Sequence, residues 1–203
     1  MSSPVVERLA ARNPTEDAIL AAAREALLEE GFDDLTMDSV GRRAFVSRTA
    51  VYFYFPNKRA LIDRLIQQTF AAMYEAGSPY LDGAGEPREE LRRAIARVVF
   101  VVNRDASLLL LAAHLSGREN ALPDEWAPYI RRMVVAAARR ISRDQKRGIA
   151  PDDISPRIAA QALCAMVERH ITVDVVRGGG DANESIRVLA ELWWRAVYGR
   201  PPS

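Results

Sequence analysis

The stretch that most constrains this chain runs from Thr36 to Lys58: Thr-Met-Asp-Ser-Val-Gly-Arg-Arg-Ala-Phe-Val-Ser-Arg-Thr-Ala-Val-Tyr-Phe-Tyr-Phe-Pro-Asn-Lys. It reads as two short helices around a tight turn. Thr36 or Asp38 can cap the first, because each offers a side-chain oxygen to the free N–H groups of an opening turn. Ser47 can do the same for the second helix, Ser47 to Tyr54, and Pro56 stops it by withholding a donor. Val40, Ala44, Val46, Ala50 and Val51 supply apolar contacts between the two. Between Ser39 and Ala60 stand five basic residues, Arg42, Arg43, Arg48, Lys58 and Arg59, and no acidic one. Hydroxyl and aromatic side chains are interleaved with them, a combination that predicts a helix offered to nucleic acid.

In a helix-turn-helix the second helix enters the major groove and its N-terminal residues meet base edges. Here these are Ser47, Arg48, Thr49 and Tyr52, with Phe53 beside them and Arg42 and Arg43 on the preceding helix. Thr36, Tyr54 and Lys58 stand where hydroxyl or ammonium groups grip phosphates, which sets register without carrying sequence information. Local pattern carries this reading, since the net charge is only +1 and residues 1–60 hold eight basic and nine acidic side chains. On charge alone Arg42, Arg43 and Arg48 would read as a solvated face. The acids at Glu16, Asp17, Glu25, Glu29, Glu30, Asp33, Asp34 and Asp38 are expected on the side facing away from DNA.

Ser-Arg-Thr-Ala-Val-Tyr-Phe-Tyr-Phe-Pro-Asn-Lys-Arg-Ala-Leu, residues 47–61, resembles the DNA-binding signature of the tetracycline-repressor (TetR) family. The resemblance extends upstream through Ile19 to Phe32 and Leu35-Thr36, covering roughly residues 14–62. Two positions depart from the family. Phe45 stands where Gly is usual, so the turn must reach a positive or strained φ without it, or close differently. Ala50 stands where Thr is common, which removes one hydroxyl contact to DNA.

The rest of the chain predicts an all-α protein. Ala- and Leu-rich stretches recur with helical spacing and there is almost no alternating β pattern. With 203 residues and 49% hydrophobic content, one or two domains can bury a core. No apolar run reaches the ~18 residues of a membrane span, and the first residues lack a signal peptide's apolar segment. A single cysteine, Cys164, excludes an internal disulfide and fits a reducing cytoplasm.

Three segments are expected: a disordered arm over 1–13 (with Arg8 and Arg12), a three-helix helix-turn-helix domain over 14–59, and a helical ligand-binding and dimerisation domain over 60–203. In the first helix Ile19, Ala22, Ala23, Ala26 and Leu27 form an apolar stripe, and Gly31 ends it. A longer helix, 58–76, leaves this head and is stopped by Gly77-Ser78-Pro79. Helices follow at about 87–103, 105–115, 124–147, 155–177 and 183–198, separated at Gly117, Pro123, Gly148 to Pro151 and Gly178-Gly179-Gly180. The triple glycine follows a helix and lacks a Lys-Ser/Thr ending, so it reads as a flexible connection rather than a phosphate loop.

Two apolar constellations mark the C-terminal part. Leu91, Ile95, Val98, Val102, Trp126, Ile130 and Met133, with Cys164, Val167 and Ile171, either form a plain core or enclose a cavity for an apolar small molecule. Ala159, Ala160, Leu163 and Met166, with Ile186, Leu189, Ala190 and Trp193, either pack within the subunit or meet a second copy across a two-fold axis. Asp124-Glu125-Trp126, Arg147 to Pro151, Met166 to Arg169 and Val197-Tyr198-Gly199 resemble the ethionamide-resistance repressor group. That resemblance implies a long apolar pocket, here lined by Val98, Trp126, Ile130, Met133, Cys164, Val167, Glu168 and Trp193. Val167 replaces the Asn of that group, which leaves shape or Glu168 to hold a ligand.

An enzyme finds little support. His114 and His170 are the only histidines, Cys164 and His170 lack a metal-ligand spacing, and no nucleophile elbow is present. Glu168 and His170 lie two residues apart and do not face each other on a helix. No metal, cofactor or membrane is implied. The expected function is a homodimeric transcriptional regulator, a repressor, that binds a palindromic double-stranded DNA operator and is released by a small apolar effector. The alternative is a constitutive DNA-binding dimer with a filled C-terminal core and no ligand.

Overall fold

A computed structural model describes residues 13–83, 85–115, 127–171 and 181–199. Among these residues there are nine helices and no strand, as the sequence predicts. They are α1 (Pro14–Asp34), α2 (Met37–Arg43), α3 (Arg48–Tyr54), α4 (Lys58–Asp82), α5 (Pro87–Arg104), α6 (Ala106–Leu115), α7 (Ala127–Lys146), α8 (Pro156–His170) and α9 (Ala182–Tyr198). The expected arm with Arg8 and Arg12, the break signals at Gly117 and Pro123, the triple glycine and Trp126 lie outside the described residues. The chain divides into two compact units between Gln68 and Thr69, inside α4.

In the first unit, Asn13 caps α1 by accepting from the amides of Thr15 and Glu16 at 3.0 and 3.4 Å. The predicted stripe, Ile19 to Leu27, is buried. Gly31, at φ 82°, breaks the helix before its last turn, a left-handed conformation that glycine adopts without steric cost. Thr36, not Asp38, caps α2: its hydroxyl accepts from the Ser39 amide at 3.0 Å and Ser39 Oγ accepts from the Thr36 amide at 3.2 Å. Ser47 Oγ accepts from the Ala50 amide at 3.1 Å to open α3, and Asn57 Oδ1 accepts from the Ala60 amide at 2.9 Å to open α4. The start of α4 belongs to the head: Leu61, Ile62, Leu65 and Ile66 are buried, and Arg64 pairs with Glu16 at 2.7 Å. That is why the division falls nine residues beyond the expected end of the domain at 59.

The expected stop of α4 at residue 76 is corrected, since the helix continues through Pro79 to Asp82. Proline cannot donate to the carbonyl four residues back. Ser78 Oγ donates to that carbonyl, on Glu75, at 3.0 Å and takes the missing amide's place. At the far end, Arg140 on α7 donates to the Tyr80 carbonyl at 2.6 Å and Arg143 to the Leu81 carbonyl at 2.7 Å, so two cations terminate α4.

The second unit's core is formed chiefly by α5, α7, α8 and α9, with Leu91, Ile95, Val99, Ile141, Leu189 and Val197 among its buried residues. Ala160, Leu163, Leu189, Ala190 and Trp193 belong to this core, so of the two alternatives these five take packing within the subunit. On the outer faces of α8 and α9, Ile158 and Leu192 are instead 52% and 47% exposed.

Candidate DNA-reading face and ligand cavity

In the head, α2 and α3 approach closely because Gly41 stands between them. A Cβ there would lie 3.2 Å from the Val46 carbonyl oxygen and 3.3 Å from Val51 Cγ2. The turn closes through backbone bonds, Phe45 N–H to Arg42 O at 3.2 Å and Val46 N–H to Gly41 O at 2.9 Å. Phe45 itself takes the left-handed conformation, φ 56°, the one non-glycine positive φ among the described residues. Of the alternatives, a positive φ without glycine or a different closure, the turn takes the first.

The predicted reading residues fall into two groups. Arg48, Thr49, Tyr52 and Phe53 lie on one exposed face of α3, at spacings of four along the helix. Arg48 leans over the Tyr52 ring, 5.5 Å from its centroid, and forms no ion pair among the described residues. Ser47 and Thr36 are exposed but use their oxygens as caps. The remaining candidates have internal partners. Arg43 pairs with Glu29 and Glu30 on α1; hydrogen bonding to Glu30, then Glu29, raises its pKa further. Arg42, still largely exposed, pairs with Asp38. The Tyr54 hydroxyl accepts from Asn13 Nδ2 at 3.2 Å, which ties the end of α3 to the cap of α1. Lys58 donates to the carbonyls of Phe32 and Asp33 and sits over the Phe32 ring.

In the second unit the helices line a partly open cavity of about 130 Å³. Val98, Ile130, Met133, Cys164, Val167, Glu168 and Trp193, the seven predicted ligand residues that are described, all line it. The alternative of a filled core is therefore corrected. One wall was missed: Phe70, Met73, Tyr74, Gly77, Tyr80 and Leu81, all from α4. Phe70, Met73 and Tyr74 fall at helical spacing inside the predicted helix, whereas ending it at 76 hid Gly77, Tyr80 and Leu81. The lining is apolar apart from Glu168, the charged side chain among these residues, and a few hydroxyl, thiol and indole groups. Burial pushes the Cys164 thiol up to about 12, so it is a neutral part of the wall.

A buried polar chain starts at this wall. Trp193 Nε1 donates to the Tyr80 hydroxyl at 3.2 Å, the Tyr80 and Tyr198 hydroxyls share a bond of 3.0 Å, and Tyr198 donates to Asp144 Oδ2 at 2.7 Å. Arg140 Nε donates to the same oxygen at 2.6 Å. Burial, first of all, holds both tyrosine hydroxyls protonated well above the ordinary range. Burial also opposes the Arg140 charge, but Asp144 and the neighbouring tyrosines together outweigh it and raise its pKa. Among the described residues no cluster of His, Cys, Asp and Glu could hold a metal, and no helix is long and apolar enough to cross a membrane.

Comparisons with known proteins agree with this geometry. A family model described as "Bacterial regulatory proteins, tetR family" matches residues 19–65, and one described as "Transcriptional regulator EthR, C-terminal domain" matches residues 91–199. The HTH-type transcriptional regulator EthR of Mycolicibacterium smegmatis is 26% identical over 193 residues, covering 92% of this chain and 88% of the relative. EthR of Mycobacterium tuberculosis is 26% identical over 191 residues, 91% of this chain and 87% of that protein. Among solved structures, SmeT in complex with triclosan aligns with a TM-score of 0.67 at 21% identity, over 94% of this chain and 99% of that one. The fatty acid degradation regulator FadR of Bacillus halodurans aligns at 0.68 and 16% identity, over 90% and 96%. These relatives are regulators, not enzymes.

Proposed function

Since the chain belongs to the TetR family of transcriptional regulators and carries an EthR-type C-terminal domain, we propose that it is a homodimeric repressor released from a palindromic operator by a small apolar ligand. The observation that supports this reading is that seven side chains expected together from the resemblance line one largely apolar cavity. A chain selected only to hold DNA has no use for such a void, because each void forfeits packing energy.

On the DNA side α3 enters the major groove. Arg48, Thr49, Tyr52 and Phe53 face the bases, and Arg48 is the cation best placed to read guanine, being exposed and without an ion pair among the described residues. Thr36, Ser47 and Arg42 supply phosphate contacts, the last by exchanging Asp38 for the backbone. Tyr54 ties the recognition helix to the start of α1, while Arg43 and Lys58 hold the flanking α2 and α4 against α1. A single head reads too few base pairs, so two are needed, with half-sites one helical turn apart at about 34–36 Å. The outer faces of α8 and α9, with Ile158 and Leu192, meet their copies to pair the subunits.

Release follows from cavity size. A space of about 130 Å³ matches a molecule near the size of benzene, and in this reading a larger one acts by parting its walls. Six residues of one wall belong to α4, the helix that also carries Leu61, Ile62, Leu65 and Ile66 of the head. A ligand that fits the parted state better favours it by that difference in affinity and by no more.

The test is a binding assay on an operator selected from random duplex DNA, followed by a screen of apolar compounds for release. A compound that binds the cavity yet leaves operator affinity unchanged would refute the mechanism. Ala94→Phe, which fills the cavity from α5, should weaken such a compound about tenfold or more while the protein stays folded. Equal affinity in that variant would mean the ligand sits elsewhere.

A further inference from the structure

We propose that Phe45 is a specificity-determining residue, its ring resting on thymine methyl groups at the edge of the site that α3 reads. This rests on the DNA-reading assignment of α3 and adds to it a contact from the turn. Three observations carry it. The Phe45 backbone has φ 56°, a conformation that any side chain with a Cβ makes costly. The turn does not need the ring, because backbone bonds from Phe45 and Val46 close it. The ring itself is 96% exposed, and among the described residues no aromatic or cation–π partner holds it.

A residue that raises the energy of its own turn, and then leaves its largest apolar group in water, gains nothing within the subunit. Strain of this kind is kept where it serves a partner. The setting identifies the partner. Phe45 lies two residues before Ser47, which caps the recognition helix, and Phe53 on that helix is also 81% exposed. Exposed Arg42 and Arg48 flank the turn, and the nearby acid Asp38 is paired with Arg42. An apolar ring between cations suits duplex DNA, where phosphates take the arginines and the thymine C5-methyl is the apolar feature of the major groove.

The experiment compares the full chain with Phe45→Gly and Phe45→Ala on an operator selected by the unaltered protein. The same duplex is also made with deoxyuridine in place of each thymine in turn, which deletes single methyl groups. Phe45→Gly should melt roughly 2–4 °C higher, since glycine removes the strain. Both variants should bind the operator about fourfold more weakly or worse, on the scale of one buried methyl group. At one or more thymines the unaltered protein should lose about fourfold on deoxyuridine while both variants lose nothing. Unchanged affinity in both variants, or an unchanged deoxyuridine profile, overturns the proposal if Arg48→Ala still weakens binding. Should Arg48→Ala and Tyr52→Ala also bind normally, the reading of α3 fails and this contact falls with it. A change in self-association with DNA binding intact would assign the ring to a protein contact, and that too overturns it.

Discussion

Asp144 is fully buried and accepts from Arg140 and Tyr198 through one oxygen, while Oδ1 has no hydrogen-bond partner among the described residues. Its value lies in charge: Arg140 is 1% exposed and also holds the Tyr80 carbonyl that ends α4. Asp144→Asn keeps the shape and strands a buried guanidinium, so unfolding free energy in urea should fall by about 3–5 kcal/mol. A loss under about 1 kcal/mol would mean water reaches the pair. Cys164 offers a different probe, because it is the only cysteine and lines the cavity. With its pKa moved from 9.0 to about 12, the thiolate fraction at pH 8 drops about a thousandfold. Alkylation at that pH should therefore be slower than in urea-unfolded protein by about that factor, and slower again with a ligand bound. Labelling at the unfolded rate would show that the cavity opens freely to solvent.

Within elements, the prediction concerns the contact of α2 with α3. A methyl on Gly41 would stand 3.2 Å from the Val46 carbonyl oxygen and 3.3 Å from Val51 Cγ2, and neither neighbour is a flexible chain end. Gly41→Ala should cost about 1–3 kcal/mol and weaken operator binding by tilting α3. A variant as stable and as tight as the parent would show that the two helices can part without consequence. These short helices were legible in the sequence because their signals are local: Thr36, Ser47 and Asn57 cap the turns they immediately precede. The end of α4 was not. Pro79 is a strong local stop, and only the Ser78 hydroxyl on the Glu75 carbonyl, with Arg140 and Arg143 beyond it, lets the helix run on. The far half of the α4 wall, Gly77, Tyr80 and Leu81, was hidden by that stop. The partners of Arg43 and Lys58 on α1 were equally hidden, since spacing within a motif says nothing about which carboxylate or carbonyl folds back against it.

At the scale of the whole molecule, the proposed function requires two heads, and the outer faces of α8 and α9 are where that requirement can be tested. Ile158 and Leu192 are half exposed in the subunit, whereas Leu163, Leu189 and Trp193 on the same helices are buried in its core. Glutamate at both exposed positions, Ile158→Glu with Leu192→Glu, therefore costs the isolated subunit little, within about 0.5 kcal/mol for each surface change. Across a two-fold axis the same substitutions bring apolar surface and like charges of the two copies together, because each patch faces its own image. Sedimentation should show a dimer turned monomer at micromolar concentration, with the helical circular dichroism unchanged. Operator affinity should fall much further than any single reading variant takes it, since a lone head loses every contact of the second half-site. A double variant that remains dimeric removes α8 and α9 from the interface. One that is monomeric yet binds the full operator as tightly removes the need for paired heads, and with it the pair of half-sites one helical turn apart.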